Sequence, residues 1–253
     1  MRNYTHRQYV ELFHLLFLSQ LGRKVDKKEY VLKGGCNLRF FFRSPRYSED
    51  MDLDAAKIPA HVLREKVGDI LKSNAFAQIL EVRGIAIEHV TEHKQTDTTQ
   101  RWKLGLHVAG VGTPLPTKVE FSRRGTAAPP SFESVEPSII RLYELPPVMA
   151  NHYPRNIAFQ QKIEALITRS RPQARDIFDL HLLRPAGAEG NRLGPEVRDR
   201  LEEAREKVMS MSFDEFKGQV IAYLPPDDQA QYDSESVWDS IRLEVAESLG
   251  GGA

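Results

Sequence analysis

Apolar positions along the chain keep a helical period at the start, alternate through the first half and return to a helical period in the second half. Between residues 5 and 21, Tyr9, Leu12, Phe13 and Leu16 recur at helix spacing, with Val10, Phe17 and Leu18 widening the stripe, which predicts a helix docked on a core. Residues 30–33 read as a short strand, and Gly34 and Gly35 then open a helix over 37–42 that Arg43, Ser44 and Pro45 end. Residues 50–54 are the next strand, and 59–73 are a helix with proline in its first turn. Residues 85–90, 102–108 and 117–122 alternate as half-buried strands, the last two separated by Gly110, Gly112, Pro114 and Pro116. This order predicts an α/β (α+β) fold built on a mixed sheet with short hairpin connections.

After Pro146 and Pro147 the strands stop. Residues 157–169, 173–183, 195–209, 213–223 and 234–249 all read as helices bounded by Pro, Gly, Ser or Asp, so an α/β domain over 1–147 is expected to precede a helical domain over 148–253. With 253 residues, 41% of them apolar, the chain can bury a core without covalent staples. Its 35 basic and 35 acidic residues cancel, so contact with nucleic acid must come from a local patch and not from a global field. A single cysteine, Cys36, excludes an internal disulfide framework and a multi-cysteine zinc cluster. The apolar stretch near the start is interrupted by Glu11 and His14, and no run reaches the roughly 18 uncharged apolar residues of a membrane span, so a cytoplasmic protein without membrane contact is expected.

Candidate chemistry gathers around the glycine turn. Glycines between a strand and a helix let the backbone approach a phosphate, and the helix start presents unpaired N–H groups. Asp50 and Asp52, two apart in a strand, point to one face beside Gly34 and Gly35, a place for magnesium and a nucleoside triphosphate. Glu120, mid-strand between Val119 and Phe121, could complete a three-carboxylate site. In the helical half, Lys162, Ala165 and Arg169 share a helix face, followed by Asp176 and Asp179 at helical spacing; surface helices laced with ion pairs fit the same spacing. His89 and His93 straddle a strand end and read as polar loop residues without a third zinc ligand. Arg123, Arg124, Arg169, Arg171 and Arg175 could line a groove for an RNA backbone. Cys36 reads as a small apolar filler, with His14 and His61 the nearest histidines in sequence.

The ordered set Gly34-Gly35-x-x-Leu38, Arg46-x-Ser48-x-Asp50-Met51-Asp52-Leu53, Lys118-Val119-Glu120, and Lys162 followed by Arg175-Asp176-x-x-Asp179-Leu180 resembles the AbiEii/AbiGii family of nucleotidyltransferase-like toxins, relatives of the MenT toxins in the polymerase-β-like superfamily. The resemblance implies a polymerase-β-like core completed by the helical module, and a magnesium-dependent enzyme that moves a nucleotide from a nucleoside triphosphate to an acceptor, releasing pyrophosphate. It implies a toxin of a toxin–antitoxin or phage-defence pair with a cognate antitoxin from a neighbouring gene, and transfer RNA as acceptor. Carried onto these positions, Asp50, Asp52 and Glu120 would hold the metal, and Lys162 would grip the triphosphate. Asp176 would be a further catalytic acid. Gly34, Gly35, Cys36, Arg46 and Ser48 would contact the nucleotide, with Arg175 and Asp179 as additional members. The family often has Ser or Thr where this chain has Cys36, a weaker donor. On the residues alone, transfer to a small molecule such as an aminoglycoside, or nucleotide binding without turnover, stays open.

Overall fold

The computed structural model describes residues 4–55, 57–123, 128–184 and 193–250. The chain divides into two compact units, Met1–Arg43 with Tyr47–Tyr153, and Ser44–Arg46 with Pro154–Ala253.

The first unit contains α1 (His6–Lys24), β1 (Val31–Lys33), α2 (Gly34–Phe41), β2 (Asp50–Asp54), α3 (Ala60–Leu71), α4 (Asn74–Val82), β3 (Ile85–Gln95), β4 (Thr99–Val108), β5 (Leu115–Ser122), β6 (Ser131–Ser134), α5 (Pro137–Leu142) and β7 (Met149–His152). The strands form one seven-stranded mixed sheet in the order β3-β4-β5-β2-β1-β7-β6. β2 runs parallel to β5 and antiparallel to β1, whereas β3, β4 and β5 are joined as antiparallel hairpins. Alternation separates the faces: Leu32, Met51, Leu53, Trp102, Leu104, Val119 and Phe121 share one core with Leu63 and Val67 of α3 and Phe76 and Leu80 of α4. Lys33, Asp50, Asp52, Arg101, Lys103, Lys118 and Glu120, at the intervening positions, lie on the other face.

α1 opens with a capping box, Gln8 N–H donating to Thr5 Oγ1 at 3.3 Å and Thr5 N–H to Gln8 Oε1 at 2.8 Å. Its buried Glu11 accepts from Arg39 Nε of α2 at 2.6 Å and from the Tyr143 hydroxyl at 2.6 Å, which ties the two helices together. Several expectations change. The helix expected over 59–73 forms as α3, and a further helix that was not expected, α4, follows it, because Ser73 leaves the helical path and its hydroxyl caps α4 through the Phe76 N–H at 3.3 Å. β3 continues to Gln95, so His89 and His93 belong to a strand and not to a loop. β6, α5 and β7 are too short to print a period, and only pairing reveals the strands: Leu32 of β1 meets His152 of β7 in parallel register. That pairing extends the first unit past residue 147.

The second unit is helical: α6 (Arg155–Thr168), α7 (Ala174–Leu183), α8 (Pro195–Arg198), α9 (Leu201–Ser210), α10 (Phe213–Gln219), α11 (Pro226–Tyr232) and α12 (Glu235–Gly250). The helix expected over 195–209 breaks after Arg198, and the one over 213–223 ends at Gln219 with a short 3-10 turn following. α11 was not expected. Its separate core includes Ile163, Ile177, Phe178, Val208 and Ile241, with Trp238 stacked on Phe216 at 4.3 Å between ring centroids. Among the described residues, no helix is long and apolar enough to cross a membrane.

Candidate active site

In the first unit the strand β1 ends at Lys33, and the chain turns into α2 at Gly34, whose φ is +66°. The two glycines are therefore the first residues of the helix, not a loop before it. A left-handed φ is cheap only without a Cβ, and a Cβ there would stand 3.1 Å from Asp52 Oδ2. The Asp52 carboxylate thus lies against the start of α2, where unpaired N–H groups and the positive dipole end favour anions.

Cross-strand register assembles the rest. Lys33, Asp52, Glu120 and Arg101 form one continuous row across β1, β2, β5 and β4, and Asp50 and Lys118 are partners in the row beside it. Lys118 Nζ stands 3.1 Å from Asp50 Oδ2 and 3.8 Å from Glu120 Oε2. Arg101 Nε meets Glu120 Oε2 at 2.5 Å. Asp52 is half-buried, and among the described residues no basic group lies within ion-pair distance of its carboxylate. Burial, with Glu120 and Asp50 beside it, holds the Asp52 carboxyl above the ordinary carboxylate range, against the pull of Lys118 and Lys33. Sequence reading missed Asp54, Lys33 and Arg101: Asp54 accepts from Lys33 Nζ at 2.5 Å and from the Tyr153 hydroxyl at 2.8 Å. Only strand pairing brings these residues together.

Among the described residues no group of three His, Cys, Asp or Glu side chains is arranged to hold a metal ion. Glu120, expected as the third metal ligand, gives its carboxylate to Arg101 and Lys118. Asp50 and Asp52 still fit a magnesium ion in donor chemistry: two hard carboxylates on one strand face, with water and substrate phosphates able to complete an oxygen shell.

Cys36 has a histidine partner after all. Its Sγ is 3.6 Å from His14 Nδ1 and donates to the Asp50 carbonyl at 3.3 Å, and His14 Nε2 meets Thr117 Oγ1 at 2.8 Å. Sequence distance hid this contact, which α1 makes by packing under the sheet. Burial pushes the thiol up, with Asp52 adding to the effect, and brings the imidazole down to about 3, so both groups are neutral and the pair is not a thiolate–imidazolium nucleophile. The Ser48 hydroxyl donates to the Asp50 carbonyl at 2.8 Å, which shapes the entry to β2.

In the second unit, α6 and α7 bring Lys162, Asp176 and Asp179 together, with Arg46 from the Ser44–Arg46 segment. Lys162 Nζ lies 2.9 Å from Asp176 Oδ1 and 2.6 Å from Asp179 Oδ2, and Arg46 donates to both Asp179 oxygens at 3.2 and 3.1 Å. Arg169 reaches Asp176 Oδ2 at 3.1 Å. Burial opposes the Lys162 charge, but Asp176 and Asp179 more than offset it and raise its pKa; burial likewise opposes the Asp179 charge, and Arg46 and Lys162 bring its pKa below the ordinary range. This is a buried ion cluster, not a pair of exposed intrahelical bridges. Arg175 donates through Nε to Gln173 at 2.7 Å, which places it beside the cluster's entry turn. Of the arginines expected to line an RNA groove, Arg123 is turned to the backbone carbonyls of Ala55 and Ile58, at 3.1 and 2.6 Å, and Arg124 lies outside the described residues.

This mixed sheet, with a glycine turn opening a helix beside paired strand carboxylates, has the fold of solved nucleotidyltransferases. The fold is shared with MenT4, a nucleotidyltransferase toxin from Mycobacterium tuberculosis H37Rv, at a TM-score of 0.65 and 20% identity over 96% of this chain and 84% of that one. JHP933 from Helicobacter pylori superimposes with a TM-score of 0.59 and 16% identity over 98% of this chain and 95% of that one. No curated protein sequence gives a significant match. The family model described as the nucleotidyl transferase AbiEii toxin of type IV toxin–antitoxin systems matches residues 16–241, so the chain belongs to the AbiEii nucleotidyltransferase toxin family.

Proposed function

We propose that this AbiEii-family nucleotidyltransferase transfers a nucleotide from a nucleoside triphosphate to an RNA acceptor, transfer RNA in particular, in a magnesium-dependent reaction that halts translation. It acts in the cytoplasm, as the toxin of a phage-defence pair, and is restrained by an antitoxin from a neighbouring gene. The observation that carries the reading is the placement of the Asp50 and Asp52 carboxylates on one face of β2, with Asp52 against the Gly34 start of α2.

In this reading Asp50 and Asp52 hold the metal, which supplies charge neutralisation to the phosphate oxygens. The α2 N–H groups that follow Gly34 hold phosphates of the triphosphate, and the small Cys36 and the Ser48 hydroxyl shape the turn around them. The acceptor hydroxyl forms its bond to the α-phosphorus as the bond to pyrophosphate breaks, so positioning and electrostatics carry the rate. Lys162 is assigned the triphosphate-binding cation of the helical unit. Asp176 and Asp179 are assigned the task of keeping it charged and aimed, with Arg46 and Arg175 supporting them.

The test is transfer of radiolabel from each of the four α-labelled nucleoside triphosphates to total RNA, with Asp52→Ala as control, alongside growth on induction. Label should appear in the transfer-RNA fraction with the wild type alone, and growth should stop with the wild type alone. Label in a small-molecule fraction, or none in any fraction while Asp52→Ala arrests growth equally, would overturn the reading.

A further inference from the structure

The polar face of the sheet does not end at the acids. The row Lys33, Asp52, Glu120, Arg101 continues onto β3 at Lys94, the partner of Arg101, and the row of Asp50 and Lys118 continues through Lys103 to Thr91. Moving outward from β2, the three acids Asp50, Asp52 and Glu120 therefore give way to four cations, Lys118, Arg101, Lys103 and Lys94, over three strand spacings, about 14 Å. Lys103 and Lys94 are exposed, and among the described residues neither has a carboxylate within ion-pair distance. The acids of β3 are turned to other partners: Glu92 accepts from Arg64 Nε at 2.6 Å, and Glu88 lies 4.0 Å from His107 Nδ1.

A second, independent feature sits next to this strip. His89 of β3 pairs with Gly105 of β4, and its imidazole occupies the place of the missing side chain: a Cβ on Gly105 would lie 2.1 Å from His89 Cε1 and 2.6 Å from Nδ1. The ring is laid across β4, one position along the strand face from Lys103, and stays exposed. An aromatic ring supported by bare backbone, and flanked by cations that have no carboxylate partner among the described residues, has the chemistry that holds unstacked bases on a sheet.

We propose that the β4–β3 face is a track for a single-stranded nucleic-acid end, with a base stacked on His89 and backbone phosphates on Lys103 and Lys94, delivering the terminal hydroxyl toward Asp50 and Asp52. The inference rests on the nucleotidyl-transfer reading and names the surface that selects its acceptor. A single strand fits because the support is one ring on a sheet, not a helix set for a groove, and the strip is long enough for two or three phosphates. A free nucleotide needs no contact so far from the acids, so the track separates acceptor binding from triphosphate binding.

The experiment is fluorescence anisotropy of an end-labelled single-stranded oligoribonucleotide across a salt series, with the full chain and three variants. Lys94→Glu with Lys103→Glu should weaken binding at least tenfold and flatten the slope of log affinity against log salt by about 1.4, two phosphate contacts at about 0.7 each. His89→Ala should weaken binding about tenfold, and His89→Tyr should restore it, since the stacking face returns. Affinity for a non-hydrolysable nucleoside triphosphate should be the same in all four proteins, which also reports that the variants are folded. Oligonucleotide affinity and salt slope unchanged in both the lysine and the alanine variants would overturn the track. Transfer of label to RNA by the wild type, followed separately, decides the underlying reading: an intact track with no transfer leaves the surface standing and removes the proposed reaction.

Discussion

The carboxylate of Asp52 lies where a side chain on Gly34 would have to stand, 3.1 Å from the position of that missing Cβ. Helix start and metal-binding candidate are thus fitted to each other through the absence of one methyl group. Gly34→Ala places a Cβ in a left-handed conformation, at a cost of about 1–2 kcal/mol, and crowds the carboxylate. The expected result is a modest fall in melting temperature with a loss of triphosphate affinity of tenfold or more, read by thermal unfolding and calorimetric titration in parallel.

Asp52 and Glu120 are neighbours across β2 and β5 but differ in their partners, since Glu120 is held by Arg101 and, among the described residues, no basic group lies within ion-pair distance of Asp52. Asp52→Asn is expected to lower the transfer rate by about 10²–10³-fold, the scale of losing one charge-stabilising group in a closed site. Glu120→Gln keeps a hydrogen-bond acceptor for Arg101 and should cost under about tenfold, on the scale of a supporting contact. Equal losses in single-turnover rates would show that both carboxylates serve the metal alike.

The raised Asp52 pKa sets a pH dependence. Its folded value lies above the unfolded one, so the fold favours the protonated acid, and stability from this group declines as pH rises through that interval. The ionised form that binds a cation is complete only above the folded value. Manganese binding, followed by electron paramagnetic resonance, should weaken on acidification at a higher pH than an exposed aspartate would impose. Lys118→Ala removes a cation that holds this pKa down and should shift the profile further upward.

Lys162 and Asp179 carry opposite linkages. Asp179, held low, contributes stability that is present above its unfolded value of about 3.9 and is lost as pH falls through the folded value. Lys162, held high, contributes stability that is complete below about 10.4 and lost as pH rises through its folded value. Asp179→Asn leaves Arg46 and Lys162 short of a buried counter-charge and should destabilise the helical unit by about 3–5 kcal/mol near neutral pH. It should also flatten the acid limb of the melting-temperature profile.

Cys36 and His14 form a neutral buried contact, so the thiol should resist iodoacetamide until the protein unfolds. Alkylation within seconds under native conditions would contradict that assignment.

The chain itself made the acids and the glycine turn legible, because a strand period of two places Asp50 and Asp52 on one face and only a residue without Cβ suits the turn at Gly34. It also made the change from strands to helices legible, since long amphipathic runs carry their period locally. What local pattern does not encode is register. That Lys33, Asp52, Glu120, Arg101 and Lys94 share one row, that Cys36 meets His14, and that Arg46 joins Lys162 and Asp179 all depend on which segments pack side by side. Four-residue strands such as β6 and β7 escaped for the same reason, because their pairing partner, and not their own periodicity, defines them. Residue types set what chemistry the protein could offer; the pairing of distant strands and helices decided which charges were spent on one another and which were left for a ligand.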